Sequence, residues 1–420
     1  MQSNFSIVSW AKSAVLYEVN IRQFTVEGTF KAFQKHLPRL KNMGVDALWL
    51  MPITPISEFK KQGNLGSYYA CSSYTKINPE FGSLEDFRDL IKQAHQLGLK
   101  VIIDWVANHT GCDHEWTISN PDYYILDENN NFTERNGWKD VIDLNFNNAS
   151  MRIAMINAMK YWVNECDIDG FRCDMAHLVA LDFWKTARID CDELKKLFWL
   201  AECDEEKYLT VFDASYAWEW MHLTEKLVKQ QVNIEEIIIN LQQYLKFENT
   251  KLKLFFTSNH DENSWNGTEF EKYGNLAKAF AVLTFTWNGM PLIYSGQEIP
   301  SNKRLKFFDK DVLLWDNTLK LETFYQTLIS LFHESGFNQA SIEILPTDNT
   351  TSILSFIKVF DNKIWIIILN LSKHDRIHFN INHPHLQGQF EQVFSKLIFN
   401  FNAQENFELM AGDYLVFRKL

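Results

Sequence analysis

Four short apolar runs each end on an acidic side chain: Lys100-Val101-Ile102-Ile103-Asp104, Gly170-Phe171-Arg172-Cys173-Asp174, Leu197-Phe198-Trp199-Leu200-Ala201-Glu202 and Leu254-Phe255-Phe256-Thr257-Ser258-Asn259-His260-Asp261. Runs of about four to six apolar residues rich in Val, Ile and Phe predict strands buried on both faces, as a parallel sheet covered by helices requires. Around them, strand and helix patterns alternate. Strands are predicted over 15–24, over 47–51 closed by Pro52, at the runs ending on Asp104, Asp174, Glu202 and Asp261, and over 211–214 and 291–295. Helical spacing is read around 29–43 and over 151–164. A further helix is marked by Ser83 ahead of Leu84-Glu85-Asp86-Phe87, a capping-box arrangement, and by Gly98 at its end. Eight strands in regular alternation with helices predict an α/β fold of the (β/α)8 TIM barrel type over a doubly wound sheet. Strand-end carboxylates then converge on one rim, where such barrels keep their chemistry.

Two stretches depart from the alternation. Residues 108–148 are polar, with Asn129, Asn130, Asn131, Asn136 and Gly137, and leave the rim directly after the third strand. A loop that long is usually functional or disordered, and this one is read as a short lobe inserted over the active site. Beyond about residue 340 only strand patterns follow, over 353–359, 364–371, 376–381, 391–394 and 414–417, with turn residues such as Asp361-Asn362 and Gly412-Asp413 between them. That tail predicts a C-terminal antiparallel β-sandwich. The expected organisation is therefore barrel over 1–108, lobe over 109–148, barrel again over 149–340 and sandwich over 341–420.

Composition narrows the partners. Lys and Arg number 41 against 53 Asp and Glu, a formal charge of −12. That balance disfavours nucleic acid, whose binding needs clustered cations. No apolar run reaches the roughly eighteen residues of a membrane span, and residues 1–12 carry no signal-peptide pattern. With Cys71, Cys112, Cys166, Cys173, Cys191 and Cys203 scattered and no C-x-x-C pair, neither a zinc site nor a disulfide framework is indicated, and a cytoplasmic location with reduced thiols is expected. The 14 Trp, 14 Tyr and 33 Phe exceed what a minimal core needs, so each is read as packing before ligand contact. Oligomeric state is not legible.

Arg172 and Asp174 lie two apart on one strand, so their side chains leave the same face. An arginine beside a carboxylate holds it ionised, which suits a nucleophile. Glu202 ends a markedly apolar strand, where desolvation favours the protonated acid and suits a proton donor. One ionised and one protonated carboxyl flanking an acetal are the equipment of glycoside hydrolysis. His109 and His260 add donors for sugar hydroxyls. A lone strand-end acid is more often a helix cap or loop anchor, and Asp104, Asp174, Glu202 or Asp261 taken singly fits that role. His109 and His260 are accompanied by no His-x-His or His-x-x-x-His pair that a metal-dependent barrel would use, and His177 is read as a packing or capping residue.

At these residues the chain resembles the alpha-amylase family, glycoside hydrolase family 13. Val101 to His109, with Asp104, Asn108 and His109, resembles the first family signature. Gly170 to Asp174 resembles the second, Leu200-Ala201-Glu202 the third and Ser258-Asn259-His260-Asp261 the fourth. Segments 44–52 and 289–298 resemble the motifs of the second and eighth strands. The resemblance implies a retaining mechanism with Asp174 as nucleophile, Glu202 as acid and then base, and Asp261 gripping sugar hydroxyls. It places Asp104, His109, Arg172 and His260 around the same sugar and Tyr69 beneath its ring. No cofactor is implied as required. Asn108 matches a residue that binds calcium in many members of the family, and a structural hydrogen bond is the alternative for it.

Departures from the family bear on specificity. His177 and Leu178 stand where many starch-degrading members carry Lys-His, Ser264 stands in place of an arginine, and Cys71, Ser72 and Ser73 replace a commonly acidic pattern. The lobe is short for the family, which implies a more open cleft. The expected substrate is an alpha-1,4-linked maltooligosaccharide or starch-like glucan, hydrolysed with retention. Transglycosylation or isomerisation by the same residues is the alternative within enzymes, and a non-catalytic glycan-binding relative is the alternative outside them.

Overall fold

The computed structural model describes residues 5–247, 250–315, 320–374 and 376–420; the first four residues of the N-terminal segment read above lie outside the described residues. In chain order the first strands are β1 (Leu16–Val19), β2 (Ala47–Leu50) and β3 (Lys100–Trp105), followed by a short pair, β4 (His109–Gly111) and β5 (Val141–Asp143). Then come β6 (Gly170–Cys173), β7 (Phe198–Ala201), β8 (Ala214–Tyr216), β9 (Leu252–Phe255) and β10 (Met290–Tyr294). Eight of them close into a parallel barrel in the order β1-β10-β9-β8-β7-β6-β3-β2, while β4 and β5 pair antiparallel outside it. The barrel strands are buried along nearly their whole length, which is why they read as continuous apolar runs rather than alternating ones.

The chain packs as two units, Met1–Tyr216 with Leu305–Leu314, and Ala217–Arg304 with Trp315–Leu420. Within the first, Asp104 lies in register with Arg172, and Cys173 with Ala201, so the residues following β3, β6 and β7 emerge at one rim. Gly170 permits that register. A Cβ there would lie 2.2 Å from the Phe198 carbonyl oxygen. At the opposite end of β6, Asp169 bonds to His95 (2.7 Å), to Lys100 (3.1 Å) and to the Val101 N–H (2.9 Å). Burial raises its pKa, but His95, the Val101 N–H and Lys195 outweigh burial and hold the carboxyl at about 2. The strand is pinned at its base by one carboxylate and ends in another.

Several predicted elements shift, for local reasons. The run over 15–24 breaks at Asn20, whose side chain accepts the Gln23 N–H and starts the short helix Ile21–Phe24. The helix expected around 29–43 is two helices, Phe30–Gln34 and Leu37–Met43, because Pro38 cannot continue the first through its own turn. The strand expected at 211–214 runs over Ala214–Tyr216, and the one ending on Asp261 stops at Phe255. Beyond it, Asn259 accepts the Glu262 N–H at 2.7 Å and turns the chain. The helix after Ser83 spans Leu84–Gln96 with the full capping box, Ser83 and Asp86 each bonding the other's backbone.

In the second unit, β11 (Ser341–Ile344), β12 (Ile353–Phe360), β13 (Lys363–Asn370), β14 (Ile377–Asn382), β15 (Gly388–Gln392), β16 (Ile398–Phe401), β17 (Gln404–Leu409) and β18 (Tyr414–Lys419) form the C-terminal β-sandwich. Six of them make one antiparallel sheet, ordered β11-β12-β13-β18-β15-β16, and β14 pairs with β17. One face buries Ile357, Ile366, Ile368, Phe379, Phe390 and Phe417 together. On its other face Trp287 packs on Phe356 (5.2 Å) and Trp365 on Phe337 (5.2 Å), while buried Lys358 donates to the Thr286 carbonyl (2.9 Å) and Asn288 (2.6 Å). With both faces covered, β13 is apolar from Ile364 to Leu369. The six cysteines are free thiols, and among the described residues no helix is long and apolar enough to cross a membrane.

Replacing Gly170 by Ala forces β6 and β7 apart. We expect a loss of about 1–3 kcal/mol, read as a lower midpoint in urea unfolding.

Candidate active site

Arg172 is fully buried, and its guanidinium reaches three carboxylates from three strand ends. Nη1 donates to Asp104 Oδ1 at 2.8 Å and to Asp174 Oδ1 at 3.0 Å, and Nη2 lies 2.8 Å from Glu202 Oε1. Nε donates to the Tyr216 hydroxyl at 3.1 Å, which brings in the end of β8. Aromatic faces wall the cation: its carbon lies 4.9 Å from the Trp49 ring, 5.6 Å from Tyr216 and 5.9 Å from Tyr69. Asp104 is held further by the Trp49 indole N–H (3.2 Å) and the Tyr69 hydroxyl (3.0 Å). Burial would ordinarily favour a neutral arginine, but the surrounding negative charge drives its pKa well above the usual value.

Three acids meet one guanidinium, so the pocket carries surplus negative charge that a developing positive charge in a ligand would relieve. Asp174 and Glu202 are only 6 % and 5 % exposed, yet they lie at the barrel rim. The apolar strand before Glu202 predicts an apolar pocket for its side chain. Instead the strand delivers it to polar partners: Oε2 accepts the Met175 N–H at 2.7 Å, and Oε1 faces Arg172. Met175 adopts the left-handed conformation at φ 41°, an unusual state for a methionine, in the turn just after Asp174.

His109 opens β4 and is buried against Trp138, ring centroids 5.1 Å apart. Burial pushes its imidazole down to about 4, so it is neutral above about pH 5 and adds no cation. Asn108 donates to it at 3.3 Å, and the neighbouring carboxylate, Asp143, is engaged by Arg135 at 2.8 Å. Asn108 and Asp143, whose buried Oδ1 has no hydrogen-bond partner among the described residues, are two side chains that could supply oxygens to a calcium ion, which takes six to eight. Among the described residues no three His, Cys, Asp or Glu side chains gather as a metal-holding group. His177, read as a packing or capping residue, is exposed, and its backbone carbonyl accepts from the Tyr208 hydroxyl at 3.0 Å.

In the second unit, His260 is buried and its Nε2 lies 3.2 Å from Asp261 Oδ2, whose side chain is 39 % exposed. Tyr69, Asp104, His109, Arg172, Asp174 and Glu202 thus belong to the first unit, and His260 and Asp261 form their own pair in the second. Sequence reading passed over Trp49, Tyr216, Trp138 and the Met175 N–H. Trp49 and Tyr216 sit at or near strand C-termini, which is the signal that would have found them.

A carboxylate-rimmed (β/α)8 barrel with a C-terminal β-sandwich is the architecture of a large class of glycoside hydrolases. The family model for the alpha amylase catalytic domain matches residues 18–139 and 119–320, and the chain belongs to the alpha-amylase family. Among curated relatives it is similar to Alpha-amylase MalA of Haloarcula japonica, 27% identical across 86% of this chain and 56% of the relative's length. The chain therefore spans little more than half of that relative. Oligo-1,6-glucosidase of Parageobacillus thermoglucosidasius is 30% identical over 41% of this chain and 36% of its own. Among solved structures, the maltogenic alpha-amylase AmyB from Thermotoga neapolitana aligns at a TM-score of 0.89 and 26% identity, covering 98% of this chain and 99% of that one.

Two outcomes follow from this geometry. Arg172→Met strands buried carboxylates, and we expect a loss of about 3–5 kcal/mol in chemical unfolding, part of which Asp104→Asn restores in the double variant. Because the unfolded chain binds a proton on His109 that the folded one refuses, His109 lowers stability as pH falls from about 6.5 to 4. His109→Gln flattens part of that fall in urea midpoints measured across the interval; buried His114, likewise pushed to about 4, and His36, also lowered by burial, still contribute to it.

Proposed function

We propose that the protein is a retaining alpha-glucan hydrolase acting on alpha-1,4 bonds of maltooligosaccharides. The observation that carries this reading is the shared Arg172 guanidinium, which keeps Asp174 and Glu202 near neighbours, as the retaining arrangement needs. Asp174 attacks the anomeric carbon and the bond to the departing sugar breaks. Glu202 gives its proton to the leaving oxygen, then takes one from the water that releases the glycosyl group. Surplus negative charge stabilises the oxocarbenium-like transition state more than the neutral substrate, which is the differential that raises the rate. Asp261, just past β9 in the fourth signature, grips hydroxyls, and Tyr69 stacks beneath the ring.

Likeness to an oligo-1,6-glucosidase favours a second reading, cleavage of alpha-1,6 bonds by the same residues. Maltotriose and isomaltotriose separate the two. We expect turnover of maltotriose, with the first product in the alpha form by NMR and every product shorter than the substrate; inversion rejects the mechanism, and chains longer than maltotriose mean transfer. Asp174→Asn lowers kcat on the order of a thousandfold or more; a variant as active as the parent overturns the assignment of the nucleophile.

A further inference from the structure

The segment Leu305–Leu314 has no regular secondary structure, yet it belongs to the first unit and is held there by a buried glutamine. Gln23 Nε2 donates to the carbonyls of Lys306 and Asp309, both at 2.8 Å, and Oε1 accepts the Asp311 N–H at 2.5 Å. Its backbone carbonyl accepts the Leu313 N–H at 2.8 Å. Asn64 adds two bonds to Asp309 Oδ1, at 2.9 and 2.7 Å, Leu65 N–H donates to the Phe308 carbonyl at 3.0 Å, and Lys310 donates to the Glu27 carbonyl at 2.8 Å. Phe308 seats against Gly63, where a Cβ would lie 2.5 Å from the phenylalanine Cβ. These contacts hold the strap in place.

Phe307 is half-buried and turned the other way, toward the site. Its ring lies nearly parallel to Tyr69, at 16° with centroids 6.1 Å apart, while the Tyr68 and Phe308 rings meet it edge-on at 83° and 78°. Two edge contacts lock its plane. Tyr69 is locked in turn by its hydroxyl bond to Asp104. Two flat apolar faces therefore stand in parallel and pre-organised, one directly tethered to the carboxylate cluster and the other one ring further out. Pyranose rings offer apolar C–H faces, and consecutive sugars of one chain can rest on consecutive parallel rings without reordering the protein.

We propose that Phe307 is a specificity-determining residue, a second aromatic platform that binds the sugar adjoining the one seated on Tyr69 and so sets the enzyme's preference for longer maltooligosaccharides. This rests on the function proposed above. The test measures kcat/KM for maltose through maltohexaose with the parent enzyme, Phe307→Ala and Phe307→Trp. The parent should gain with chain length, Phe307→Ala should lose roughly tenfold or more of that gain, mostly through KM, and Phe307→Trp should keep it. Comparing long with short substrates within one variant cancels any loss of folded enzyme. An equal loss on every substrate, no loss, or a gain on long chains overturns the platform. A parent inactive on all these sugars instead rejects the proposed function, so the two failures are distinct.

Discussion

One fully buried guanidinium organises this site. Arg172 collects carboxylates from β3, β6 and β7 and a hydroxyl from β8. A buried ion pair is weak evidence of stability, because desolvating the charges costs about as much as their attraction returns. Its worth lies in geometry. With five N–H donors in a rigid plane, an arginine dictates where each acid must stand, and the rings of Trp49, Tyr69 and Tyr216 hold that plane in turn. A lysine would supply the charge but not the directions.

The barrel separates support from chemistry along a single strand. At the base of β6, Asp169 is saturated with cations and N–H groups; at its tip, Asp174 stands in a cluster with more acids than bases. The first arrangement stabilises a folded chain. The second stores an electrostatic demand that a positively charged transition state can meet. The neutral state of His109 belongs to the same design, since a proton there would oppose that demand. Around the rim, irregular segments such as Leu305–Leu314 are rigid through hydrogen bonds to one buried side chain rather than through helix or strand.

Much of this was legible from the residues. Continuous apolar runs marked most of the barrel strands, because strands buried on both faces carry no alternation, while β8 lies at Ala214–Tyr216 rather than over 211–214. The acids ending three of those runs, Asp104, Asp174 and Glu202, meet at Arg172, whereas Asp261 lies beyond the end of β9. Errors arose where a local polar group outcompeted the pattern. Asn20 turned half of the first run into a helix, and Pro38 split another helix in two. Strands β11, β16 and β17 were missed because their exposed residues interrupt any apolar run.

Periodicity and the order of strand-end acids by themselves determined the barrel, its C-terminal sandwich and which carboxylates to watch, since those follow from burial along the chain. Only the tertiary structure decided what each acid touches. Glu202 follows four apolar residues and still faces a cation and a backbone N–H, because its partners come from β6 and the turn after it, 30 and 27 residues earlier, and not from its own strand. Phe307, in a segment with no pattern at all, meets Tyr69 across more than two hundred residues of chain for the same reason. Local sequence sets the shape of an element; the contacts that give a side chain its chemistry are between elements, and no window along the chain contains them.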